Sequence, residues 1–140
     1  MKNFNLLLQK LSRFNLPVNS YMLVGGGVLA AYGLRDTSDL DIICSESLFN
    51  ELAFKYGVTN KNDYSVIKLT NNIEVLGLGS VYLPNGFKTF ELLKNTALKI
   101  NNINIAPLQF IKDIKLILGR EKDILDVQLI DEYLGLHTIL

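Results

Sequence analysis

Apolar residues recur at helical spacing from the start of the chain. Phe4, Leu7, Leu8, Leu11 and Phe14 fall on one face and predict a helix over residues 3–14. Pro17 closes that segment, and the unbroken apolar run Tyr21–Val24 reads as a short buried strand. Gly25, Gly26 and Gly27 then make a turn, and "VLAAYG" predicts a short buried helix ending at Gly33. In "SDLDIIC" the pattern changes to alternation, with Asp39 and Asp41 on one face of a strand and Leu40 and Ile42 on the other. Ser45 or Ser47 is placed to cap a helix that runs to about Tyr56 and stops at Gly57.

Further on, two β-rich runs in "YSVIKLTNNIEVLGL" are joined by Asn71-Asn72, which reads as a hairpin turn because asparagine tolerates positive φ. "VYLPNGF" is another turn-bearing segment and "FELLKNTAL" a short helix. "LKINNINIA" repeats the hairpin signal at Asn101-Asn102. Pro107 suits the first turn of a helix over "PLQFIKDIKLIL", and Gly119 breaks it. "EKDILDVQLIDEYL" predicts a final amphipathic helix with Ile124, Val127, Leu129 or Ile130, and Leu134 facing inward. With no repeat and no low-complexity stretch, residues 1–140 read as one domain of α/β (α+β) class, a mixed β-sheet flanked by helices.

Composition narrows the function classes. Lys+Arg and Asp+Glu balance at 14 each, so no global field draws in a polyanion, which excludes general nucleic-acid coating but permits a local basic cluster. Cys44 is the single cysteine and cannot form an internal disulfide, which fits a reducing compartment. His137 is the only histidine, which speaks against a zinc site or a Ser-His-Asp triad. The N-terminus lacks the features of a signal peptide, and no stretch approaches the roughly 20 apolar residues of a membrane span. The expectation is a soluble, cytoplasmic protein.

The chemistry concentrates at two aspartates. Carboxylates at i and i+2 of a strand project side by side; unpaired they repel, and a hard divalent cation resolves the conflict. Glu74, the lone charge in "NNIEVLGL", joins Asp39 and Asp41 if its strand lies beside theirs. Three acids around one or two cations suit phosphoryl or nucleotidyl transfer. The glycine turn supplies the other half, because backbone N–H groups at a strand-to-helix turn receive phosphate oxygens and glycine permits the close approach. Taken singly, each feature has a plainer account: a tight turn at the glycines, a solvated strand end at the aspartates, an edge charge at Glu74. Arg35 could pair locally with Asp36 or Asp39, and Lys112, Lys115, Arg120 and Lys122 could form a solvated helix face. A dinucleotide-binding reading also exists, since Gly25-x-Gly27-x-x-Ala30 matches a Rossmann fingerprint with Glu46 as the ribose acid. It is the weaker one, because charges interrupt the second strand.

An apolar residue, Gly-Gly, a spacer of about a dozen residues and Asp-x-Asp on a strand resembles the signature of the nucleotidyltransferase superfamily related to DNA polymerase beta. Here it is Val24-Gly25-Gly26 followed by Asp39-Leu40-Asp41. "GLRDTSDLDI" is similar to the form found in small bacterial members, both stand-alone nucleotidyltransferases and toxin-like proteins of abortive-infection and toxin–antitoxin systems. "IKLILGREKDILDVQLI" resembles their late helix pair. The resemblance implies a minimal nucleotidyltransferase fold in which Asp39, Asp41 and Glu74 are catalytic and bind Mg²⁺ or Mn²⁺. It implies that Gly25 and Gly26 hold the triphosphate of ATP or another nucleoside triphosphate, and that Lys115 and Arg35 contact its phosphates. The third acid in these enzymes is usually aspartate; Glu74 is one methylene longer. The acceptor hydroxyl, on a small molecule, a tRNA end or a protein, is not specified. The alternative function is that of an inactive member of the fold that binds a protein partner.

Overall fold

Helix α1 (Lys2–Ser12) turns Phe4, Leu7 and Leu11 into the core, as the spacing predicts. Its N-terminus is capped from a distance: the Asp36 carboxylate accepts from the backbone N–H of Asn3 at 3.0 Å and of Phe4 at 2.9 Å. After a 3₁₀ turn at Val18–Ser20, strand β1 (Tyr21–Val24) is buried at all four positions. Helix α2 (Gly26–Ala31) starts inside the glycine run, and strand β2 (Leu40–Cys44) follows. Ser45 caps helix α3 (Glu46–Tyr56), its Oγ accepting from Leu48 N–H at 3.2 Å, and Gly57 ends it. Strands β3 (Thr59–Lys61), β4 (Tyr64–Thr70) and β5 (Ile73–Leu76) come next. They are followed by helix α4 (Gly86–Leu93), strands β6 (Leu98–Ile100) and β7 (Ile103–Ile105), and helices α5 (Leu108–Leu118) and α6 (Glu121–Leu134). This computed structural model describes residues 1–62, 64–79 and 86–135; the "VYLPNGF" segment up to Asn85 and His137 lie outside them.

The strands form one mixed sheet in the order β3-β4-β5-β2-β1-β7-β6. Pairing is antiparallel except between β2 and β5 and between β1 and β7. The fold is therefore α/β in the broad sense, a mixed sheet with helices. One contiguous core joins Phe4 of α1, Leu23 of β1, Ile42 of β2, Val75 of β5, Phe90 of α4 and Ile111 of α5. Among the described residues no helix is long and apolar enough to cross a membrane.

Three local expectations are corrected. Asn101 and Asn102 do adopt positive φ, at 53° and 61°, whereas Asn71 and Asn72 do not. Their turn is held by side chains: Thr70 Oγ1 accepts from Asn72 N–H at 3.1 Å, and the Asn72 amide donates to the Ser38 carbonyl at 3.1 Å. The helix placed at "FELLKNTAL" begins upstream at Gly86 and stops at Leu93, because Leu98–Ile100 is taken up by pairing with β7. In α6 the inward residues are Asp123, Asp126 and Ile130, while Ile124 is 54 % and Leu134 41 % exposed. Ion pairs to α5 and to the loop before β2, rather than apolar periodicity, set that helix's rotation.

Candidate active site

β1 leads directly into the glycines. Gly25 sits at φ 66°, ψ −147°, a conformation that only glycine adopts without strain, and α2 begins at the next residue. The antiparallel register pairs Val24 with Asp41, so the second aspartate stands beside the residue that precedes the turn. Asp39 lies two residues earlier, just ahead of β2. A cleft of about 770 Å³ is lined by Gly25, Gly26, Arg35, Asp39, Asp41 and Lys115. Six of the seven residues nominated from sequence thus share one cavity. Thr37, which sequence reasoning missed, fixes the loop between them: its buried hydroxyl donates to the Asp39 carbonyl at 3.0 Å. A Cβ on Gly26 would stand 2.9 Å from Arg35 Nη2 and 3.2 Å from Thr37 Oγ1, so the arginine's position depends on that glycine.

The seventh residue, Glu74, is not in the cleft lining. It is the direct neighbour of Asp41 across the parallel β2–β5 pair, as its predicted strand placement required. Its Oε2, however, lies 2.8 Å from Lys61 Nζ. Burial, with the charges of Asp39 and Glu74 beside it, pushes the Asp41 carboxyl up to about 7, while Lys61 and Lys115 pull it back. Neither the Asp39 nor the Asp41 carboxylate accepts a hydrogen bond or forms an ion pair among the described residues. Two such carboxylates are the donor chemistry that a hard divalent ion takes. Among the described residues no three acids, histidines or cysteines converge closely enough to enclose an ion, and Glu74 is engaged with Lys61.

The opposite wall is cationic and internally braced. Lys115 is buried in α5, with Nζ 2.8 Å from Asp126 Oδ2 and 3.6 Å from Asp123 Oδ1. Arg35 grips the same Asp126 through Nε at 2.6 Å and Nη2 at 2.8 Å, and donates to the Asp36 carbonyl at 2.9 Å. Arg35 therefore bypasses the carboxylates of Asp36 and Asp39 for a residue on α6. Asp123 also accepts from Arg120, at 3.2 Å from the backbone N–H and 2.6 Å from Nε. The hydrogen bonds from Arg35 and Lys115 hold the Asp126 carboxyl below the ordinary carboxylate range against the opposing effect of burial. Asp126 was missed in the sequence, and Asp123 was read only as part of the late-helix resemblance or of a solvated charged face, because the apolar residues of α6 suggested a different buried face. Their spacing of three, one helical face, was the available signal. Lys112, on the same helix as Lys115, pairs with Asp131 at 2.7 Å.

The dinucleotide reading fails on topology. β1 and β2 are antiparallel, whereas a Rossmann unit requires a parallel crossover. Glu46 follows Cys44, which pairs with Tyr21 at the end of the strands remote from the glycines. No family model, curated protein or solved structure matches the chain.

Proposed function

We propose that the protein is a small nucleotidyltransferase that takes a nucleoside triphosphate and, with Mg²⁺ or Mn²⁺, transfers the nucleoside monophosphate to an acceptor hydroxyl. The observation that carries this reading is the shared register of three strand positions: Val24, which leads into the glycine turn, beside Asp41, which is itself beside Glu74. Asp39 and Asp41 would hold the cation, with Glu74 as the third acid. The cation would neutralise phosphate charge and polarise the reacting groups. Backbone N–H groups at Gly25 and Gly26 receive phosphate oxygens. Arg35 and Lys115, steadied by Asp126, present positive charge from the opposite wall. The acceptor oxygen bonds to the α-phosphorus, the bond to the β-phosphate oxygen breaks, pyrophosphate leaves, and the hydroxyl proton passes to a carboxylate of the cluster. Catalysis on this plan is mainly positioning and charge neutralisation.

Calorimetric titration of each nucleoside triphosphate, with and without Mg²⁺, tests the reading on the wild type and on Asp39→Ala/Asp41→Ala. Metal-dependent binding that disappears in the double variant is the expected outcome. Absence of binding by every triphosphate, with native circular dichroism, removes the enzyme reading. One observation favours a second reading, a partner-binding protein such as one half of a toxin–antitoxin pair. The Lys61–Glu74 ion pair gives one of the three acids a partner within the protein itself.

A further inference from the structure

Lys61 ends β3, the edge strand, and two strands separate it from β2. Its side chain crosses β4 to place Nζ 2.8 Å from Glu74 Oε2 on β5. The contact is not a consequence of simple adjacency. Lys68 is the direct cross-strand neighbour of Glu74, yet its exposed side chain forms no ion pair among the described residues. Glu74 in turn stands beside Asp41, on strands about 4.8 Å apart. Lys61 therefore lies in the field of two acids, holding one directly and acting on the other through space.

We infer that Lys61 is the resident counter-ion of the acid cluster: its ammonium holds Glu74 aside, and a divalent cation at Asp39 and Asp41 gains Glu74 as a third ligand only by displacing it. This rests on the nucleotidyltransferase reading and adds to it a residue that sets cation affinity. Lys61 suits displacement. It is a compact charge on a flexible stem, its side chain is 36 % exposed, and it makes one hydrogen bond to the acid. Ion pairs of such exposure are weak, so a divalent ion competes with it readily.

The test uses Mn²⁺ alone as probe, with free Mn²⁺ read by electron paramagnetic resonance on the full chain. The proteins are the wild type, Lys61→Met, Lys68→Met, Glu74→Gln, Lys61→Met/Glu74→Gln and Asp41→Asn. Lys61→Met is expected to bind Mn²⁺ about five-fold more tightly than the wild type, the worth of a surface ion pair. Lys68→Met removes the same charge without the contact and should leave affinity nearly unchanged. In the Glu74→Gln background the gain from Lys61→Met should vanish. Equal gains from Lys61→Met and Lys68→Met would reduce the effect to general charge and overturn the inference. Unchanged affinity in Lys61→Met, with wild-type binding still abolished by Asp41→Asn, would also overturn it while leaving the cation site standing. Absence of Mn²⁺ binding in both the wild type and Lys61→Met would remove the cation site itself, and the inference with it. Circular dichroism verifies each fold, and Lys61→Gln replaces the methionine variant if that one does not fold.

Discussion

At Asp41 burial, Asp39 and Glu74 all act in the same direction, and the carboxyl titrates at about 7 rather than in the ordinary carboxylate range. The folded state then keeps a proton that the unfolded chain has already released. The contribution of this group to stability is greatest below about pH 4, falls as pH rises, and is lost above about pH 7. In the presence of a chelator, thermal unfolding should show the wild type losing stability relative to Asp41→Asn as pH is raised through that window. Parallel curves for the two proteins would show that Asp41 titrates normally. At this scale the aspartate pair and the glycines were legible, because two like charges on one strand face and three consecutive glycines each demand a physical reason. The engagement of Glu74 by Lys61 was not legible, since it joins residues two strands apart.

Helix α6 shows how an element's rotation is decided. Apolar spacing alone turns Ile124 and Leu134 inward, but the structure buries Asp123 and Asp126 instead. Each aspartate is met by cations from elsewhere, Lys115 on α5 and Arg35 before β2 among them. Once those pairs form in a water-poor interface, turning the helix to bury Ile124 would leave charges unpaired, and that costs more than one isoleucine's burial gains. Urea denaturation should therefore find Asp126→Ala destabilised by about 3 kcal/mol or more. Ile124→Ala should change stability by no more than about 0.5 kcal/mol. The reverse order would restore the periodicity reading of this helix. Other elements followed local signals closely: α1 by its apolar face, β1 by its run, α3 by the Ser45 cap and Gly57 stop.

For the whole molecule, β1 and β2 are the centre. β1 pairs with β2 on one side and β7 on the other, so it joins the four-strand portion β3-β4-β5-β2 to the β7-β6 hairpin. The same contiguous core runs beneath both portions. Unfolding should accordingly be a single cooperative transition, with coincident far- and near-ultraviolet circular dichroism melts. A separate early transition would mean that the β6–β7 hairpin and the helices after it form an independent unit. The cleft belongs to this scale too, because Asp41 comes from the centre of the sheet, Asp39 and Arg35 from the approach to β2, and Lys115 and Asp126 from α5 and α6.

By itself the sequence determined what short-range chemistry decides: which segments become helix or strand, where glycine and proline interrupt them, and which acids have no local partner. It also indicated that the glycine turn and the aspartate pair belong together, since only a short helix and a loop separate them. Tertiary structure alone decided the partners of the charges. Arg35 and Asp126 are 91 residues apart and Lys61 and Glu74 13 apart, and each pair meets only because the sheet order and the α5–α6 packing bring them within hydrogen-bonding distance. Periodicity reports which face of an element is apolar, whereas an ion pair depends on the position of a second element. That is why the acids and glycines of the cleft, and by resemblance Arg35 and Lys115, could be named from the chain, whereas the Asp126 brace that holds those two cations could not.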